Sequence, residues 1–112
     1  MNSGTIFWFT GLSGAGKTTL ADGLHHALVA QNRRSVVLDG DVIRKGLNRD
    51  LGFTRQDRME NNRRIAEVAR LLRDNGLIVL VSCISPMADD RRLNRSICGE
   101  TAFYEEIGRA HV

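Results

Sequence analysis

Residues 11 to 18 are Gly11, Leu12, Ser13, Gly14, Ala15, Gly16, Lys17 and Thr18, the order GxxxxGK(S/T), and residue types at that spacing serve to hold a polyphosphate. The glycines let successive backbone N–H groups turn inward around an anion, where a side chain would obstruct approach. Lys17 is expected to neutralise the β- and γ-phosphates, and the Thr18 hydroxyl is the expected magnesium ligand. Thr19 supports the start of the following helix. A glycine-rich turn without function is the plainer alternative, but the motif sits between a predicted strand and a predicted helix, as phosphate binding requires. ATP and Mg2+ are therefore the expected ligands.

A second cluster, Asp39-Gly40-Asp41, puts two carboxylates at the tip of a predicted strand. Asp41 there is suited to general-base work on a hydroxyl; capping the next helix is the plainer alternative and is compatible with that work. Further along stand Arg44, Phe53, Arg58, Asn61, Ile84 and Ser85. A guanidinium fork pairs with phosphate or sulfate oxygens, and an amide can read the edge of a base. The phosphate loop alone admits a GTPase, an ATPase or a small-molecule kinase, so the acceptor has to be read from these residues.

The elements that must position them follow from periodicity. Residues 5–10 (TIFWFT) are β-branched and aromatic and read as a buried strand. Leu20, Leu24 and Leu28, with Ala21 and Ala27 beside them, mark one face of a helix from Lys17 to about Gln31, which Asn32 stops. Residues 35–38 (SVVL) form a second strand that runs into the Asp39-Gly40-Asp41 turn. Thr54 followed by Asp57 predicts a capping box, and Ile65, Val68, Ala69 and Leu72 continue that helix until Asn75-Gly76. Residues 77–82 (LIVLVS) form a third strand, and Pro86 suits the first turn of a helix continuing through 91–97. Alternating strands and helices imply a parallel sheet whose ligands lie beyond the carboxyl ends of the strands. Both carboxylates are then expected beside the phosphate loop, on the neighbouring strand tip. The fold class is α/β, a P-loop NTPase-type three-layer fold with a parallel sheet, incomplete at the C-terminus.

The segments DGDVIRKGL (39–47), LGFT (51–54), Asp57-Arg58, Glu60-Asn61, RRIAEVA (63–69) and Ile84-Ser85-Pro86, with GLSGAGKTT, closely resemble adenylylsulfate kinase over residues 9 to about 91. The resemblance implies transfer of phosphate from ATP to the 3'-hydroxyl of adenosine 5'-phosphosulfate, giving 3'-phosphoadenosine 5'-phosphosulfate and ADP in sulfate assimilation. It implies that Asp39 assists magnesium through water, and that Asp41 accepts a hydrogen bond from the attacking hydroxyl. Arg44, Arg58 and Asn61 match positions that hold the phosphosulfate and adenine parts of the acceptor. Phe53, which as a lone loop aromatic could simply close the core, matches a position that stacks on adenine. Ile84 and Ser85 fall in the acceptor site, and Ser85 matches a serine associated with phosphorylation or acceptor contacts. Lys17, Asp41 and Ser85 are the catalytic candidates, although direct transfer needs no covalent phosphoserine. Arg91 matches a family arginine, and Met87 departs from the aromatic often found at its position. Another P-loop small-molecule kinase, such as a shikimate or gluconate type, would share Lys17 and Asp41 but has no reason to carry the 51–61 segments. An inactive nucleotide-binding fragment is the other alternative.

Composition bounds the remaining classes. The net charge of +3 arises from 16 basic and 13 acidic residues scattered along the chain, which suits a nucleotide better than a nucleic acid. Cys83 and Cys98 form no CxxC pair, and Cys83 reads as a small buried hydrophobe. His25 and His26 read as surface residues of the first helix, without a partner. The longest apolar stretch, 77–81, is too short to cross a bilayer, and MNSGTIFWFTG has no charged n-region, so a cytoplasmic setting without membrane is expected. The resemblance stops after Phe103-Tyr104-Glu105. Residues 1–106 are expected to be a partial kinase domain and 107–112 a foreign tail resembling a translated sequencing adapter. Further strands and a basic lid are the expected missing parts. The sequence leaves open whether the parent protein forms a homodimer or is fused to a sulfate adenylyltransferase.

Overall fold

The computed structural model describes residues 4–10, 17–83, 88–99 and 103–107. Among the described residues eight elements follow in order: β1 (Thr5–Thr10), α1 (Lys17–Ala30), β2 (Ser35–Asp39), α2 (Gly40–Lys45), α3 (Arg55–Asp74), β3 (Ile78–Ser82), α4 (Ala88–Cys98) and β4 (Phe103–Ile107). All strand pairings are parallel, in the order β2-β3-β1-β4.

Strand alternation divides the core in two. Ile6 and Trp8 of β1, Val79 and Val81 of β3, and Val36 and Leu38 of β2 face Ile65, Ala66 and Ala69 of α3 and Cys98 of α4. Phe7, Phe9, Ile78, Leu80 and Val37 face Ala21, Leu24 and Leu28 of α1. Period-two side chains thus serve two helical layers, and each fully buried aliphatic contributes roughly 1.5–3 kcal/mol. The helices take opposite faces because the chain reverses. It steps two places outward from β1 to β2 and returns one place to β3, and right-handed crossovers send these two connections to opposite sides.

The strand order corrects one expectation. β2 is not the neighbour of β1, because β3 lies between them. Every position of β3 is buried whereas every position of β2 is half-buried, so the more apolar strand takes the interior place. A second difference is α2, a six-residue helix that begins directly after Asp39, where the sequence suggested a polar turn with Asp41 as the possible cap of a helix after it. Asp39 is its N-cap and accepts from the backbone N–H of Asp41 at 2.9 Å, so the capping role considered for Asp41 falls to Asp39.

The stop of α1 follows the sequence: Asn32 takes a positive φ of 60°, a conformation asparagine tolerates better than most residues. His26 and Ala27 are exposed, but His25 is half-buried, with Nδ1 2.7 Å from Ser35 Oγ, so it has the partner that the sequence did not reveal. Thr54 caps α3 by accepting from the Asp57 N–H at 3.1 Å. The return bond of a capping box is absent among the described residues, since the Asp57 carboxylate instead accepts from Gly52 N–H at 2.8 Å. Pro86 lies outside the described residues.

Candidate functional site

In-register pairing fixes the carboxyl edge of the sheet. Phe9 of β1 and Asp39 of β2 are both partners of Ser82 of β3, so three strands end at one level. β1 ends at Thr10 and α1 begins at Lys17, so the strand and helix that flank the phosphate-loop motif are both formed at this edge. Asp39 stands two strands from β1, roughly 10 Å away at ordinary strand spacing. β3 lies between them, so Asp39 shares the carboxyl edge with the end of β1 without adjoining it. Gly11, Leu12, Ser13, Gly14, Ala15, Gly16, Ile84 and Ser85 lie outside the described residues, as do the side chains of Lys17, Thr18, Thr19 and Arg91.

Gly40 explains why the Asp39-Gly40-Asp41 turn is tight. It is buried against the end of β3, and a Cβ there would stand 2.9 Å from Cys83 Cβ and 3.2 Å from Ser82 O. The missing side chain lets the first turn of α2 lie on β3. Asp39 then remains half-buried at the strand tip, and Asp41 stands exposed in the first turn of α2, its carboxylate unbonded among the described residues. Asp41 and Arg44 are three residues apart and share a face of α2.

The segment 46–54 between α2 and α3 brings several predicted residues together. Arg44 Nη1 donates to Gly52 O at 3.0 Å, and its guanidinium carbon lies 4.6 Å from the Phe53 ring centroid, a cation–π contact. Phe53 is 78% exposed, so it closes no part of the core. Asn61 is buried on α3, and its Oδ1 accepts from Asn48 Nδ2 at 2.9 Å. With the amide oxygen taken, its nitrogen is left to donate. Arg58 is exposed one helical turn before Asn61 on the same face.

Asn48 and Asp57 are the residues that sequence reasoning missed. Asn48 is fully buried, bonded to Asn61, and its Oδ1 accepts from Arg64 Nη1 at 3.4 Å. Arg64 in turn pairs with Asp50 at 2.8 Å and with Glu60 at 2.9 Å, fastening the segment to α3. The Arg63 and Arg64 guanidiniums hold the Glu60 carboxyl down at about 2. The Arg64 hydrogen bond likewise lowers Asp50. A buried asparagine in a polar stretch looks like a surface residue in sequence, and no spacing rule would have revealed Asn48. Asp57 carried a signal, its position three after Thr54, but that signal pointed to the cap.

Among the described residues no group of three or more His, Cys, Asp or Glu could hold a metal ion. Cys83 is buried, as expected, with Sγ 3.5 Å from Asn62 Oδ1. Burial pushes the Cys98 thiol up to about 11, leaving it an inert core group.

Comparison with known proteins covers most of the chain. A family model described as adenylylsulphate kinase matches residues 3–110. The bifunctional enzyme NodQ of Rhizobium meliloti is 58% identical over 100 residues, 89% of this chain and 16% of that protein. An adenylyl-sulfate kinase of Pseudomonas aeruginosa is 53% identical over 100 residues, 89% of this chain and 51% of that protein. The structure of the Mycobacterium tuberculosis APS kinase CysC in complex with AMPPNP and APS superimposes with a TM-score of 0.88 at 44% identity, covering 96% of this chain and 62% of that one. The chain thus spans about half the length of one curated relative and a sixth of the other.

Proposed function

The chain belongs to the adenylylsulphate kinase family, and we propose that its carboxyl edge transfers the γ-phosphoryl group of ATP to the 3'-hydroxyl of adenosine 5'-phosphosulfate. The observation that carries this reading is the Arg44–Phe53 pair, a guanidinium stacked on an exposed ring one helix away from the strand tip of Asp39. An exposed aromatic plane offers stacking to a base, and the cation beside it suits a phosphate or sulfate. A sugar acid or shikimate would use the charge but not the ring.

In the transfer, Gly11 to Gly16 and Lys17 hold the triphosphate, with Thr18 and Thr19 at the start of α1. The acceptor's 3'-oxygen forms the new P–O bond, the bond from the γ-phosphorus to the β–γ bridging oxygen breaks, and ADP leaves with that electron pair. Asp41 orients the hydroxyl and takes its proton. Arg44, Arg58 and Asn61 position the acceptor, with Phe53 on its base and Ile84 and Ser85 completing the pocket. Hard oxygen donors suit magnesium, and Thr18 with Asp39, which uses Oδ1 on the α2 cap, are the residues that would hold it. Bound there, the ion supplies charge neutralisation on the phosphate oxygens.

Fusion with a second enzyme in the parent protein, which we take to be a sulfate adenylyltransferase, is in keeping with the relative described as bifunctional. A cytoplasmic setting is supported by the free state of Cys83 and Cys98, and no described helix is long and apolar enough to cross a membrane. The test supplies labelled ATP and magnesium with adenosine 5'-phosphosulfate, gluconate or shikimate in parallel. Label appearing on the ribose of the first alone is the expected result; label on a sugar acid instead would reject the assignment.

A further inference from the structure

We propose that the Asp57 carboxylate is a positioning residue for the acceptor wall, fixing Gly52 so that Phe53 and Arg44 present one surface; this rests on reading those two residues as acceptor contacts. Phe53 is 78% exposed, so core packing does not hold it. Its place is set through the backbone before it and the cation over it.

Both backbone polar groups of Gly52 are tied, each to a different helix. Its N–H donates to Asp57 Oδ2 at 2.8 Å, which fastens it to the first turn of α3. Its carbonyl accepts from Arg44 Nη1 at 3.0 Å, which fastens it to the last turn of α2. The same guanidinium then covers the Phe53 ring at 4.6 Å. A continuous path therefore runs from Asp57 through Gly52 to Arg44 and Phe53. The approach is close: a Cβ on Gly52 would stand 3.1 Å from Asp57 Oδ2. A charged acceptor on a backbone N–H makes a stronger bond than a neutral one, so the anchor is worth more than an ordinary turn contact.

The helix cap does not depend on this carboxylate. Thr54 caps α3 through the backbone N–H of Asp57, which any residue at 57 except proline supplies. An acidic side chain in the first turn of a helix also gains from the helix dipole, and that simpler role sets the contrast. A dipole role predicts a loss of stability when the charge is removed, with ligands affected alike. A positioning role predicts an effect confined to the acceptor, and recovery when a neutral oxygen is restored at the same place.

The experiment compares the full chain with D57A and D57N, by amide hydrogen exchange and by calorimetric titration with adenosine 5'-phosphosulfate and with AMPPNP. In D57A, exchange at Gly52 should accelerate by about tenfold or more while the amides of the middle of α3 stay within about twofold. Affinity for adenosine 5'-phosphosulfate should fall by about tenfold with AMPPNP affinity within about twofold, as a displaced contact surface predicts. D57N, whose Oδ1 still accepts from Gly52, should recover most of both effects. Equal losses for both ligands, an unchanged acceptor affinity in D57A, or no rescue by D57N would overturn the proposal. If wild type does not bind adenosine 5'-phosphosulfate, the functional reading fails; unchanged Gly52 exchange in D57A would overturn the positioning role independently.

Discussion

Asp41 and Asp39 lie two residues apart and do different work. Asp39 commits one oxygen to the start of α2, whereas Asp41 is exposed with its carboxylate unbonded among the described residues. Removing the charge of Asp41 should therefore leave the helix intact. D41N is expected to retain AMPPNP affinity and lower the transfer rate by about 10²–10⁴, the usual worth of a general base, as measured by turnover alongside nucleotide titration. Residue types were legible in the sequence, because an arginine, an aromatic and two carboxylates near a phosphate loop suggest their own chemistry. Pairings were not. The Asn48–Asn61 and Asp57–Gly52 bonds depend on how the segment 46–54 folds back on α3, and no periodicity governs such a segment.

At the scale of elements, β2 and α2 are joined without a connecting loop, and Gly40 makes the junction possible by lying against Cys83. G40A should force β3 and α2 apart and lower stability by about 1–3 kcal/mol, the range for overpacking a tight contact, as a shift of the urea midpoint without a change in slope. β1, β2, β3, α1 and α3 were legible to within a residue or two, because apolar runs and four-residue spacing are local signals. The order of strands was not, since nothing local says that β3 inserts between β1 and β2. The bounds of the short α2 were not legible because a six-residue helix offers too few turns for a pattern.

Over the whole molecule, scattered basic residues are partly spent on the α3 surface, where Arg63 and Arg64 hold Glu60 and Arg64 also holds Asp50. Glu60 falls from 4.5 to about 2 on folding, first through Arg63 and then Arg64. A carboxyl lowered by folding contributes stability that is present above pH 4.5 and is lost as pH falls through about 2. E60Q should therefore be less stable than wild type near neutrality, by about 1 kcal/mol or less for half-exposed pairs, and the gap should close between those two pH values in urea titrations. Arg64 holds Asp50 and Asn48, in the segment that also bears Phe53. On the proposed function, the exposed Phe53 ring under the Arg44 guanidinium receives the acceptor's base. Calorimetric titration of wild type and F53A with adenosine 5'-phosphosulfate measures what that ring contributes. A loss of about tenfold in F53A, with AMPPNP binding unchanged, is the expected result for one lost stacking contact; equal affinity of the two proteins for the acceptor would contradict it.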